Sequence, residues 1–192
     1  ESAMGDIAAL DGLKDWLRKR KRIIENPEGA KKHGLSFPKG VLLVGIPGTG
    51  KSLCAKAVAM EWQLPLLKMD PASLYNKYIG ETEKNFRKAM ETASRMSPVV
   101  LWIDEIEKAF AGSDGDGDGG VTTRVLGTFL SWLQDRTGDV FVVATANDVS
   151  KLPPELLRKG RFDEIFFVDL PDHGSRRALF EIHLHKRKQD AS

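Results

Sequence analysis

Residues Gly45 to Ser52 read GIPGTGKS, with glycine, lysine and a hydroxyl at the spacing Gly45-x-x-x-x-Gly50-Lys51-Ser52. Glycines at these positions let the backbone curl so that successive N–H groups face inward, which suits the oxygens of a phosphate chain. A helix opening near Lys51 would add the positive end of its dipole. The Lys51 ammonium can then reach the outer phosphates, and the Ser52 hydroxyl can ligate Mg²⁺. The stretch follows an apolar run and precedes a helical pattern, the setting in which this loop is expected to bind a nucleotide.

A second group of residues supplies what hydrolysis of a phosphoanhydride requires. The run VVLWIDE ends in Asp104 and Glu105. In an open parallel sheet, ligands bind outside the carboxyl ends of the strands, where these two acids fall. Asp104 is expected to hold Mg²⁺ through water, and Glu105 to polarise the attacking water as general base. A third apolar run, VFVVATAN, places Asn147 just past its end, where an amide can orient that same water.

These residues need a scaffold, and the hydrophobic pattern predicts one. Five apolar segments read as buried strands: 41–44, 64–69, 99–103, 140–144 and 165–168. Helical patterns lie between them at 51–62, 81–96 and 122–135, with a short piece near 154–158; another runs from 175 to 188. Strands alternating with helices predict an α/β fold with a parallel sheet covered on both faces. The 192 residues, 41% hydrophobic and 29% charged, suit one globular domain. No apolar run approaches the ~20 residues that a membrane helix needs. A single cysteine, Cys54, leaves no internal disulfide framework and suits a reducing compartment; it reads as a small buried side chain.

Other signals carry less chemistry. The formal net charge of +2 gives no strong push toward nucleic acid, and the basic run RKRKR (18–22) reads as the solvated face of a helix whose apolar side is Leu10, Leu13, Leu17 and Ile24. GSDGDGDGG (112–120) contains Asp114, Asp116, Asp118 and Gly119, the front half of a calcium-loop pattern. Its twelfth position is Val125 rather than the required glutamate, so it reads as a glycine-loosened loop. Neither His183 nor His185 reads as a metal ligand.

Taken together these motifs resemble the AAA family of P-loop ATPases, within the larger AAA+ group, from about Asp6 to the end of the chain. GIPGTGKS and LWIDE look like the family's Walker A and Walker B motifs, and ATAN like its sensor-1 strand. The resemblance implies a P-loop NTPase three-layer sandwich with a five-stranded parallel sheet, binding ATP or ADP with Mg²⁺. Its nucleotide-binding set would be Gly45, Pro47, Gly48, Thr49, Gly50, Lys51, Ser52 and Leu53. LLRKGRFDE resembles the second region of homology, which would make Arg158 and Arg161 arginine fingers acting on a neighbouring subunit's ATP. DIAALDGLK resembles the N-terminal segment whose backbone near Asp6 and Ile7 contacts adenine, with Ala8 and Ala9 replacing the usual glycines. RRALFEIH resembles the first lid helix, with His183 at the base or ribose, and NKYIGETE resembles a pore loop with Tyr78, Ile79 and Gly80 at its tip.

The opening residues ESAMG (1–5) read as a cloning-type remnant, and the resemblance divides the rest into a large α/β subdomain (6–172) and the start of a helical lid (173–192). Without a full lid, the chain alone is expected to be monomeric and nearly inactive. The full-length protein is expected to hydrolyse ATP as a hexamer and to remodel or thread a protein client, in the cytoplasm or a plastid stroma. Two rivals are a nucleic-acid-associated AAA+ motor or loader, and a nucleotide-binding scaffold without turnover. No HExxH zinc motif supports the membrane-protease branch. The details LLVGIPGTGKS, LGTFLSWL and LRKGRFDEIFF look closest to a bacterial and plastid branch of the family.

Overall fold

A computed structural model describes residues 11–45, 50–69, 81–110, 119–135 and 138–168. In chain order the elements are α1 (Asp11–Glu25), α2 (Pro27–Lys32), β1 (Gly40–Val44), α3 (Lys51–Trp62), β2 (Leu66–Met69), α4 (Glu81–Met96) and β3 (Val99–Ile103). A 3-10 helix (Ile106–Phe110) leads to α5 (Gly119–Asp135) and β4 (Val140–Ala146). Two 3-10 turns (Val149–Lys151 and Pro154–Leu157) then precede β5 (Glu164–Phe167).

The five strands form one parallel sheet in the order β2-β3-β4-β1-β5. All residues of β1, β3 and β4 are buried, which explains why their sequences, Thr145 apart, are continuous apolar runs rather than alternating ones. Their side chains still alternate between two cores. Val41, Leu43, Val100, Trp102, Phe141 and Val143 meet α1 and α3 on one face. Leu42, Val44, Leu101, Ile103, Val142 and Ala144 meet α4 and α5 on the other. The α/β three-layer sandwich with its five parallel strands is therefore present. Each fully buried aliphatic side chain contributes about 1.5–3 kcal/mol relative to exposure.

The first face is closed by aromatics. Phe141 lies 5.8 Å from Trp16 of α1 and 4.6 Å from Trp62 of α3, ring centroid to centroid, and the Trp62 indole N–H donates to the Leu17 carbonyl at 3.0 Å. The basic run continues this helix. Arg18, Lys19 and Arg22 face solvent, whereas Arg20 lies 3.8 Å over the Trp16 ring and donates to its carbonyl, so burial lowers the Arg20 pKa.

Several boundaries differ from the sequence pattern. The second strand starts at Leu66, not Leu64, because Gln63 turns left-handed (φ 53°) and the Leu64 N–H caps α3 on the Ala59 carbonyl. β1 starts one residue early at Gly40, where a side chain would strike the Val142 carbonyl oxygen at 2.3 Å, so only glycine permits the close approach to β4. β5 is shifted one residue back, to Glu164–Phe167. α5 begins at Gly119 rather than 122, so the end of the supposed glycine loop is helical. Packing of Val125, Phe129 and Leu133 outweighs the poor helix propensity of glycine. Val125, 1% exposed, faces the core and cannot be a calcium ligand; Asp114, Asp116 and Asp118 lie outside the described residues. So does the helical pattern at 175–188.

Candidate nucleotide site

Because β4 lies between β3 and β1, the carboxyl ends of these three strands are neighbours. Three motifs far apart in sequence, the glycine loop after β1, the acids after β3 and the asparagine after β4, are thereby delivered to one corner of the sheet. The β1–β4 ladder continues one step past β1, with the Gly45 N–H donating to the Ala146 carbonyl at 3.0 Å. β4 runs two residues further than its apolar pattern, to Ala146, which sets Asn147 directly opposite the start of the loop.

Gly50 opens α3 at φ 92°, a left-handed conformation natural to glycine. Lys51 follows, 7% exposed. Its Nζ donates to Asn147 Oδ1 at 2.7 Å and to the Gly45 carbonyl oxygen. Burial lowers the Lys51 pKa, while Glu107, Asp104 and Glu105, in that order, pull it back up. The ammonium is thus aimed by hydrogen bonds and balanced by three carboxylates. Ser52 and Leu53 stand exposed in the first turn of α3.

Asp104 and Glu105 turn out of β3. Glu105 has φ 51°, a sparsely populated region for a side-chain-bearing residue that costs on the order of 1–3 kcal/mol unless its surroundings hold it. Its N–H donates to Thr145 Oγ1 at 2.9 Å, and the Thr145 hydroxyl donates to Asp104 Oδ1 at 2.5 Å. The Glu105 carboxylate pairs with Lys108 through Oε2 and accepts a long 3.5 Å contact from Asn147 Nδ2 on Oε1. The Lys108 hydrogen bond is the main reason its pKa is lowered, so the group stays an acceptor. Glu107 is buried, and its Oε2 accepts the Asn147 N–H at 2.8 Å; burial raises its pKa.

Asn147 therefore contacts the lysine through its oxygen, Glu105 through its nitrogen and Glu107 through its backbone. For Mg²⁺, the donor set near the loop is the Ser52 hydroxyl and the Asp104 carboxylate, both hard oxygen ligands that fit the ion. Among the described residues no group of three or more His, Cys, Asp or Glu could hold a metal ion.

Arg158 and Arg161 lie elsewhere. Their loop leads into β5 at the amino end of the sheet. Asp163 there accepts the N–H groups of Lys39 and Gly40 at 2.6 and 2.8 Å, and Lys39 Nζ donates to the Gly160 carbonyl at 2.9 Å. The glycine loop leaves the other end of β1, four residue steps or about 13 Å away at a strand rise near 3.3 Å. Arg158 is exposed, and Arg161 donates to Gln134 Oε1 at 2.6 Å.

Of the residues singled out from sequence, Gly45, Gly50, Lys51, Asp104, Glu105 and Asn147 meet at one corner, with Ser52 and Leu53 in the adjoining turn. Asp6, Ile7, Pro47, Gly48, Thr49, Tyr78, Ile79, Gly80 and His183 lie outside the described residues. Sequence reasoning missed Thr145, Glu107 and Lys108. A threonine inside an otherwise apolar, fully buried strand was the available signal for the first. Cys54 is fully buried and donates from Sγ to the Gly50 carbonyl, with burial pushing its pKa up to about 12.

Comparison with known proteins places the chain in a family. The uncharacterized AAA domain-containing protein ycf46 of Trieres chinensis is 54% identical over 94% of this chain, and the chain spans 36% of that protein. The proteasome-activating nucleotidase of Methanococcus vannielii is 39% identical over 95% of the chain, which spans 46% of it. The cell division cycle protein 48 homolog of Archaeoglobus fulgidus is 37% identical over 96% of the chain, 26% of its own length. The chain thus spans less than half of each of these relatives. The family model for the ATPase family associated with various cellular activities (AAA) matches residues 41–170, the interval that carries the whole sheet apart from Gly40 and every described group at the corner; on these grounds the chain belongs to the AAA family of ATPases.

Proposed function

We propose that this AAA domain binds ATP at the Gly45–Ser52 loop and hydrolyses it with groups at the ends of β3 and β4. The observation that carries the reading is Asn147, whose amide bridges the Lys51 ammonium and the Glu105 carboxylate. Lys51 would grip the outer phosphates. Glu105, kept ionised beside Lys108, would accept a proton from the attacking water. Asn147 would orient that water and relay the phosphate state to Lys51. Ser52 and Asp104 would hold Mg²⁺, which when bound supplies charge neutralisation on the phosphates. Pro47, Gly48, Thr49 and Leu53 would complete the loop, and Asp6, Ile7 and His183 the base and ribose contacts.

Arg158 and Arg161 would serve a neighbouring copy's nucleotide, which favours a ring of the full-length protein, in keeping with a hexamer. Their place at the amino end of the sheet, away from this chain's own loop, supports that reading. Residues 6–172 would be the large subdomain and 173–192 the beginning of the lid. Likeness to a proteasome-activating nucleotidase favours a protein as the client, with Tyr78, Ile79 and Gly80 as its grip, in the cytoplasm or a plastid stroma.

The test is Glu105→Gln in the full-length protein. ATP affinity should stay within about threefold while kcat falls by about 10²–10⁴, the usual worth of a general base. Unchanged hydrolysis would overturn the assignment.

A further inference from the structure

Thr145 is a polar group at this corner to which the proposed chemistry gives no role. It is 0% exposed, on a strand whose other residues, from Val140 to Ala146, are all alanine, valine or phenylalanine and all buried. Valine would fill the same volume without a hydroxyl to satisfy. The hydroxyl therefore needs a reason, and its two partners supply one.

A backbone N–H can only donate, so in the 2.9 Å contact with Glu105 the Thr145 oxygen accepts. Its single proton is then directed at Asp104 Oδ1, 2.5 Å away, the short distance of a hydroxyl donating to a carboxylate. One side chain thus fixes the carboxylate of Asp104 and the left-handed backbone of Glu105. Both bonds cross from β4 to the end of β3, where the strand ladder itself has ended. Without them, Glu105 would lose the partner of its N–H at a strained residue, and Asp104 would be free to rotate.

The geometry points to Thr145 as the positioning residue that sets Asp104 for the cation and Glu105 for the water, acting through both and touching neither reactant. This rests on the assignment of those two acids given above. A misplacement of about 1 Å at a reacting group can cost ~10² in rate. The deficit should appear in kcat and in the Mg²⁺ requirement rather than in nucleotide affinity, because the groups that grip the phosphates are on the other side of β4.

The experiment uses the full-length protein with Thr145→Val, Thr145→Ser and Glu105→Gln in parallel. It reads kcat, the Mg²⁺ concentration for half-maximal rate, ATP affinity, and amide hydrogen exchange at Glu105 in the nucleotide-free protein. Thr145→Val should lower kcat by about 10–100-fold, raise the Mg²⁺ requirement several-fold and speed Glu105 exchange at least tenfold, with ATP affinity held within about threefold. Thr145→Ser keeps the hydroxyl and should stay near wild type in all four. If Thr145→Val does not fold, Thr145→Ala reads the same loss. Wild-type kcat and Glu105 exchange in the hydroxyl-free variant would overturn the inference, and so would a Thr145→Ser variant as impaired as Thr145→Val. If Glu105→Gln itself hydrolyses ATP normally, the assignment of the acids fails instead. If Glu105→Gln is inactive while Thr145→Val runs at full rate, the inference alone fails.

Discussion

The two ends of the sheet differ in what they do with charge. At the carboxyl end, Asn147 joins Lys51, Glu105 and Glu107, Thr145 joins Asp104 to Glu105, and most of their polar atoms find partners within the chain. At the amino end, the loop from Arg158 to Asp163 is pinned through the Asp163 carboxylate and the Gly160 carbonyl, while Arg158 is exposed and Arg161 reaches Gln134. A corner whose charges are mutually satisfied is preorganised for a reaction, since little has to move when substrate arrives. An arginine loop with a rigid base and an exposed tip is instead suited to a target on another molecule. The contrast favours the proposal that one site is divided between two copies of the chain.

The largest effect expected from breaking this division is at the arginines. Arg161→Ala in the full-length ring should lower kcat by about 10³ or more, the scale of an arginine finger, with ATP affinity unchanged within a few-fold. Steady-state hydrolysis and nucleotide titration on the same preparation check this. A proportional loss of affinity would place Arg161 in the binding site of its own chain instead.

A smaller effect should follow from loosening the base of that loop. Asp163→Ala removes the acceptor for the Lys39 and Gly40 N–H groups and should destabilise the domain by about 1–3 kcal/mol. Denaturant unfolding measures the loss. If the carboxyl-end corner is independent, ATP affinity of the still-folded fraction should not change.

The smallest effect is at Cys54. With its thiol fully buried and its pKa pushed up to about 12, it should resist iodoacetamide in the native protein at pH 8 and react only on unfolding. The sign of the linkage follows from the raised value. Its contribution to stability is complete below the ordinary value near 9.0 and is lost as pH climbs toward 12, where the unfolded chain ionises first. Rapid native alkylation would mean that α3 opens readily beside the loop.

How much was legible depended on whether a signal was local. The glycine loop, the acid pair and the asparagine each follow an apolar run, and a parallel sheet places such run ends on one side, so their meeting could be anticipated. Sheet order could not be read from the runs themselves, and it is the position of β4 between β3 and β1 that makes Asn147 the bridge. Thr145 and Glu107 went unnoticed because their importance lies in partners 40 and 41 residues away. Boundaries failed where tertiary contact overrides propensity. Glycines 119 and 120 are helical because the turns that follow them pack into the core, and Leu64 leaves its strand to cap α3.

The claim that the site is shared can be tested by mixing. Full-length Glu105→Gln and Arg161→Ala proteins, each nearly inactive alone, should be combined under conditions that allow subunit exchange. In a ring with head-to-tail contacts, about one quarter of the interfaces in a random one-to-one mixture pair an intact Glu105 with a neighbour's intact Arg161, so about a quarter of wild-type hydrolysis should return. Mixed rings, verified by differential tags, that stay as inactive as either parent would contradict a site divided between neighbours.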